Sequence, residues 1–225
     1  MSEQPKKIIV SEKIEVASRL NDFGLKQEDA AKICEGVLHG RNLSSSLQPK
    51  TAEGQLKYIF GVEALREVLL SSGIAEYEIF SKSNIEGVFD PVHGRKIMFQ
   101  MVDQACGVND PQPKSKIGDG KKRLIEESRT AFLFPEWEEE ERCREAKADA
   151  LSTAECWYFM MSIDGNDGVC CELSRPKSVD DEKFNGFHKR IKIFKYGEFE
   201  PTGTYRHSQD DDDDIFEIKP TITKR

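Results

Sequence analysis

The chain has 225 residues, of which 37% are hydrophobic and 33% charged, with 13 Phe, 5 Tyr and 2 Trp. That is enough apolar material for a core in one large domain or two small ones, and too much for a chain disordered throughout. The formal net charge of −8 argues against non-specific attraction to nucleic acid, which needs clustered basic groups to neutralise phosphates.

The six cysteines, at 34, 106, 143, 156, 170 and 171, include no CxxC pair. They suit buried free thiols in a reducing compartment better than a disulfide framework or a zinc site. Cys170 and Cys171 are adjacent, so in a strand they point to opposite faces. The start, "MSEQPKKIIV", has no apolar core of a secretory signal, and no apolar run approaches the ~20 residues of a membrane-spanning helix. The expectation is a cytoplasmic protein with no membrane attachment and no cofactor.

Residues 11–40 predict two neighbouring helices. Ser11 is a candidate cap for the first, with Ile14, Ala17, Leu20 and Phe23 on one face and Gly24 as the stop. The second places Ala30, Ile33, Cys34 and Val37 together and is expected to end at Gly40. After the Ser-rich "GRNLSSSLQPK" comes an amphipathic helix carrying Leu56, Ile59, Phe60, Leu65, Val68 and Leu69, with Gly73 at its C′ position.

The period then changes. "YEIFSKSNIEGVFDPVHGRKIMFQMV" reads as two β-rich runs around a turn at Pro91 and Gly94. Residues 103–123 lose periodicity and hold two prolines, three glycines and five basic residues, the composition of a linker or long basic loop. "RTAFLFPEWEEEERCREAKADALSTA" predicts a short strand and then a helix, with its acidic block near the helix N-terminus. "ECWYFMMSIDGNDGVCCELSR" predicts a hairpin. Its first arm is apolar on both faces, so Trp157 should lie in the middle of a sheet. A further strand, "HKRIKIFKYG", follows a polar loop.

These elements predict an α+β fold: an N-terminal helical segment followed by an antiparallel sheet built from hairpins, with one covering helix. The divisions are a helix-rich region ending in a hairpin (1–102), the linker or basic loop (103–123), an α+β region (124–207) and an acidic tail (208–225).

Four constellations bear on function. Residues 16–39 have the spacing of a helix-turn-helix, but Glu28 and Asp29 would open its recognition helix and face phosphates; a plain helical hairpin fits better. "KSKIGDGKKR" lacks the GxxxxGK[ST] pattern of a nucleotide loop. As a basic loop it offers Lys114, Lys116, Lys121, Lys122 and Arg123 to a phosphate backbone. In "HKRIKIFKY" alternation puts His188, Arg190 and Lys192 on one side, continued by Phe194 and Tyr196. That suits single-stranded nucleic acid, although lysines also defend an edge strand against aggregation. Asp164, Glu172 and Lys192 around one hairpin would suit a divalent-metal nuclease or phosphodiesterase, although "SIDGNDG" is also ordinary turn chemistry. The four histidines show no ligand spacing, and no catalytic or metal residue is assigned.

The end, "SQDDDDDIFEIKPTITKR", joins five aspartates to Ile215, Phe216 and Ile218. Charge that steers and apolar groups that then bury suit docking on a protein partner. The same pattern also fits a last strand packing on its own domain. The functional expectation is a non-catalytic binding or regulatory protein, acting on a protein partner or a nucleic-acid-bound assembly. The rivals are the metal nuclease and the helix-turn-helix regulator.

Overall fold

The computed structural model describes residues 7–73, 76–82, 85–127, 151, 153–165 and 168–201. The predicted helix around 136–150 and the tail with Ile215, Phe216 and Ile218 lie outside them.

Three helices, α1 (Lys13–Asn21), α2 (Gln27–Asn42) and α3 (Ala52–Ser71), follow a short strand, β1 (Ile8–Val10). Then come β2 (Glu78–Lys82), β3 (Ile85–Asp90), β4 (Arg95–Met101), α4 (Asp119–Glu127), β5 (Glu155–Asp164) and β6 (Gly168–Pro176). A small hairpin, β7 (Val179–Asp180) with β8 (Lys183–Phe184), precedes β9 (Phe187–Phe194). Seven strands form one sheet in the order β1-β9-β6-β5-β4-β3-β2.

The α+β class holds, but the sheet is mixed rather than antiparallel. β2–β3–β4 and β5–β6–β9 are antiparallel groups. They join through a parallel β4–β5 pair, and β1 pairs parallel with β9. A parallel pair needs a crossover of a dozen or more residues, and the stretch between β4 and β5 supplies it. One sheet therefore draws strands from both 1–102 and 124–207. Within 103–123, residues 119–123 belong to α4.

The sheet is covered on both faces. Ile97, Phe99, Trp157, Phe159, Met161, Cys171, Leu173, Ile191 and Ile193 pack with the apolar side chains of α1, α2 and α3. Met98, Cys156, Tyr158, Met160 and Cys170 pack on the other face with Leu124 and Ile125 of α4, Val179 and Phe184. β5 is apolar at nearly every position because both of its faces are buried. Trp157 is 5% exposed and meets Phe23 edge-on at 4.8 Å. Cys170 and Cys171 fall on opposite faces, as their adjacency requires.

The helices differ from expectation in detail. Glu12, not Ser11, is the N-cap of α1, and Val16 with Leu20 faces the core while Ile14 is 88% exposed. Burial depends on which stripe meets the sheet, and a helix of nine residues offers two candidate stripes. α2 runs past Gly40 to Asn42, and Gly40 serves as a close approach to α3 rather than as a stop: a Cβ there would lie 2.7 Å from the Leu56 carbonyl oxygen. Ile59 of α3 is 55% exposed. Gly73, with φ +64, takes the left-handed position after α3 as predicted.

Candidate functional site

The β4 end, α3 and α4 converge on one pocket of about 560 Å³. Lys50, Lys57, Lys114 and Lys121 line it, with Thr51, Gln55, Tyr58, Gln100, Met101 and Ser115 among their neighbours. No described residue of the lining is acidic.

Local structure places each lysine. α3 begins at Ala52, so Lys50 sits just before it and Lys57 one to two turns in. Residues 112–114 run back beside the end of β4: the Asp103 N–H donates to the Gln112 carbonyl at 2.8 Å, and the Lys114 N–H to the Met101 carbonyl at 3.0 Å. That brings Lys114 and Ser115 next to Gln100. Leu124 and Ile125 anchor α4 in the second core, and Lys121 turns toward the pocket.

Lys121 Nζ donates to Gln100 Oε1 at 2.9 Å and stands 5.7 Å from the centre of the Tyr58 ring. The Gln100 amide, itself 3% exposed, also donates to the Met101 carbonyl. The base of the pocket is thus held by a buried amide. Burial lowers the pKa of Lys121, because a desolvated ammonium is disfavoured. An anion entering the pocket would favour the charged form.

The local field is positive. Lys57 Nζ pairs with Glu53 at 2.5 Å across one helical turn. That hydrogen bond and the Lys57 charge hold the Glu53 carboxyl below its usual range, with Arg41 and Lys114 adding to the effect. Lys57, Lys114 and Arg41 therefore act on one carboxylate. By contrast, the cleft beneath α1 carries both signs, with Glu12 and Glu198 beside Lys13, Lys192 and Lys195.

The predicted basic residues are divided by the fold. Lys114 and Lys121 meet in the pocket. Lys116 is exposed and pairs with Glu182 at 2.6 Å, while Lys122 and Arg123 lie on α4 outside the lining. His188 is half-buried on β9. Arg190 is fully buried against Glu172, and Lys192 Nζ donates to the Gly107 carbonyl. β9 is not an edge strand, since β1 covers its outer side. Lys50 and Lys57 escaped the sequence reading, because Lys50 lies in the turn before α3 and no helical spacing links it to Lys57.

The other constellations do not assemble. Glu172 lies opposite Met160 and Asp164 opposite Gly168, so the two carboxylates are four residues apart along the sheet, roughly 13 Å. Glu172 is moreover occupied by Arg190. α2 buries Ala30, Ala31, Ile33, Cys34, Glu35, Gly36, Val37 and Gly40. The helix packs on α3 and the sheet, and the side it leaves exposed opens with Gln27, Glu28 and Lys32, so a carboxylate stands where a recognition helix would meet phosphates.

The fold and pocket define a mixed-sheet α+β protein with a lysine-lined pocket. No protein-family model, curated protein or solved structure matches the chain.

Proposed function

We propose that this protein acts by binding rather than by catalysis, and that its lysine-lined pocket grips phosphates of a nucleic-acid-bound assembly. The observation that carries this is the convergence of Lys50, Lys57, Lys114 and Lys121 on one pocket with no acidic residue in its described lining. On a chain of net charge −8, such a local concentration favours a compact anionic ligand over general attraction. Cys34, Cys106, Cys156, Cys170 and Cys171 are free thiols, which supports a reducing, cytoplasmic setting. For a protein partner the candidate contact is Ile215, Phe216 and Ile218 beside the aspartate run, and removing residues 208–225 would abolish that contact while leaving the pocket's binding in place.

Single-strand binding measured across a salt series tests the pocket. Four lysine–phosphate contacts give a slope of log K on log salt no steeper than about −3, at ~0.7 per contact. Changing Lys50→Gln and Lys114→Gln together should flatten it by about 1.4. Binding indifferent to salt and to both substitutions would refute the reading.

A further inference from the structure

The pocket is not lined by charge alone. Tyr58 and Met101 give it an apolar wall beside the ammonium groups, and Thr51 and Ser115 add hydroxyls. A bare polyanion would leave that wall unused. The cations line one space of about 560 Å³ that is open to solvent on one side, a volume within the usual range for small-molecule pockets.

Resting on the reading of the pocket as a phosphate site, we infer that its ligand is a single nucleoside phosphate. The base packs against Tyr58 and Met101, and the phosphates take the lysines. Tyr58 suits this role because its ring lies on the pocket side of α3. Tyr58 also lines the hollow beside Glu86 and Arg66 on the other side, and burial followed by the Glu86 carboxylate raises its hydroxyl pKa. Lys121 sits where ring and charge meet: it is within cation–π range of Tyr58 and hydrogen-bonded to Gln100. A phosphate next to a base on Tyr58 falls within reach of this ammonium. Lys50 and Lys114 are exposed, and their long side chains can close over further phosphates. The same chemistry is offered by a free nucleotide and by the phosphorylated end of a strand.

The full-length chain should be titrated by calorimetry with ATP, tripolyphosphate and adenosine. ATP is expected to bind at least about tenfold more tightly than tripolyphosphate, from one stacked base, and adenosine is expected to give no measurable heat. Tyr58→Leu, which keeps an apolar side chain there, should bring ATP down to the tripolyphosphate level, with Tyr58→Phe retaining the difference. Unchanged melting temperatures would show that both variants are folded. Lys50→Gln with Lys114→Gln should weaken ATP and tripolyphosphate alike. A short oligonucleotide with a terminal phosphate, competing with ATP where its unphosphorylated twin does not, would assign the ligand to a strand end. ATP binding without competition from either oligonucleotide would assign it to the free nucleotide. Tripolyphosphate binding as tightly as ATP would overturn the nucleotide inference and leave the phosphate site standing. Binding of neither would overturn both.

Discussion

Arg190 on β9 and Glu172 on β6 form a fully buried ion pair, in which Arg190 Nε and Nη2 donate to the two carboxylate oxygens at 2.8 and 2.7 Å. The pair is held from both ends. Glu172 also accepts from Ser174 Oγ and the Cys106 N–H, and Arg190 Nη1 donates to the Asn109 carbonyl at 2.9 Å. Asp110 lies beside Arg190 and pairs with Lys7. One buried pair thus ties β6, β9 and the connection after β4 together. Removing either member leaves a charge without its partner in the interior. Glu172→Ala or Arg190→Met should each cost about 3–5 kcal/mol, and joint replacement by Met should recover much of the loss. Urea unfolding measures it, and a loss below about 1 kcal/mol for the single variants would show that the pair is not holding the sheet.

The same pair anchors the segment that presents Lys114. In Arg190→Met, limited trypsin digestion should cut at Lys114 and Lys116 sooner than in the parent chain. Equal cutting rates would mean that the Asn109 and Asp110 contacts do not restrain this segment.

Trp157 fills the space between the central sheet and Phe23. Trp157→Ala should lower the unfolding free energy by about 3–5 kcal/mol, the usual cost of deleting a large buried aromatic. A calorimetric or urea measurement near zero would remove β5 from the core.

Two helical glycines should respond in opposite directions to alanine. At Gly61 a Cβ would meet the Phe99 ring at 2.5 Å, whereas at Gly54 it meets nothing within 4 Å. Gly54→Ala should therefore stabilise by up to about 1 kcal/mol through helix propensity. Gly61→Ala should destabilise by about 1–3 kcal/mol, because Phe99 must shift within a packed layer. Thermal unfolding of the two variants checks the sign of each.

Acid stability should depend on Asp90. Burial alone would raise its pKa, but the His93 N–H, Arg95 and the His93 ring outweigh it, and the carboxyl sits below its ordinary value. The Arg95 Nη2 contact is 2.9 Å. A depressed carboxylate contributes stability that is full above the unfolded pKa of about 3.9 and is lost as pH falls through the lower folded value. Asp90→Asn should be less stable at neutral pH and should lose less than the parent chain between about pH 5 and pH 2. Parallel unfolding curves for the two proteins over that range would contradict the assignment.

By itself the sequence determined the local units. Helical periodicity showed Ala30, Ile33, Cys34 and Val37 on one inward stripe. The run from Trp157 to Ile163, apolar at every position but Ser162, showed a strand covered on two sides, and the adjacency of Cys170 and Cys171 set them on opposite faces. These are properties of neighbouring residues, which a period of 3.6 or 2 expresses directly. Only the tertiary structure decided the parallel junction of β4 with β5 and the addition of β1 outside β9, because strand partners far apart in sequence leave no turn between them to read. It also decided the fate of the basic residues. Alternation grouped His188, Arg190 and Lys192, but whether such a face meets water or a buried Glu172 depends on what packs over it. Lys114 and Lys121 were visible as a basic stretch, whereas their meeting with Lys50 and Lys57 required α3 and α4 to dock beside Gln100. A pocket is made by surfaces from separate parts of the chain, and their approach is governed by core packing on both sides of the sheet rather than by the residues that end up lining it.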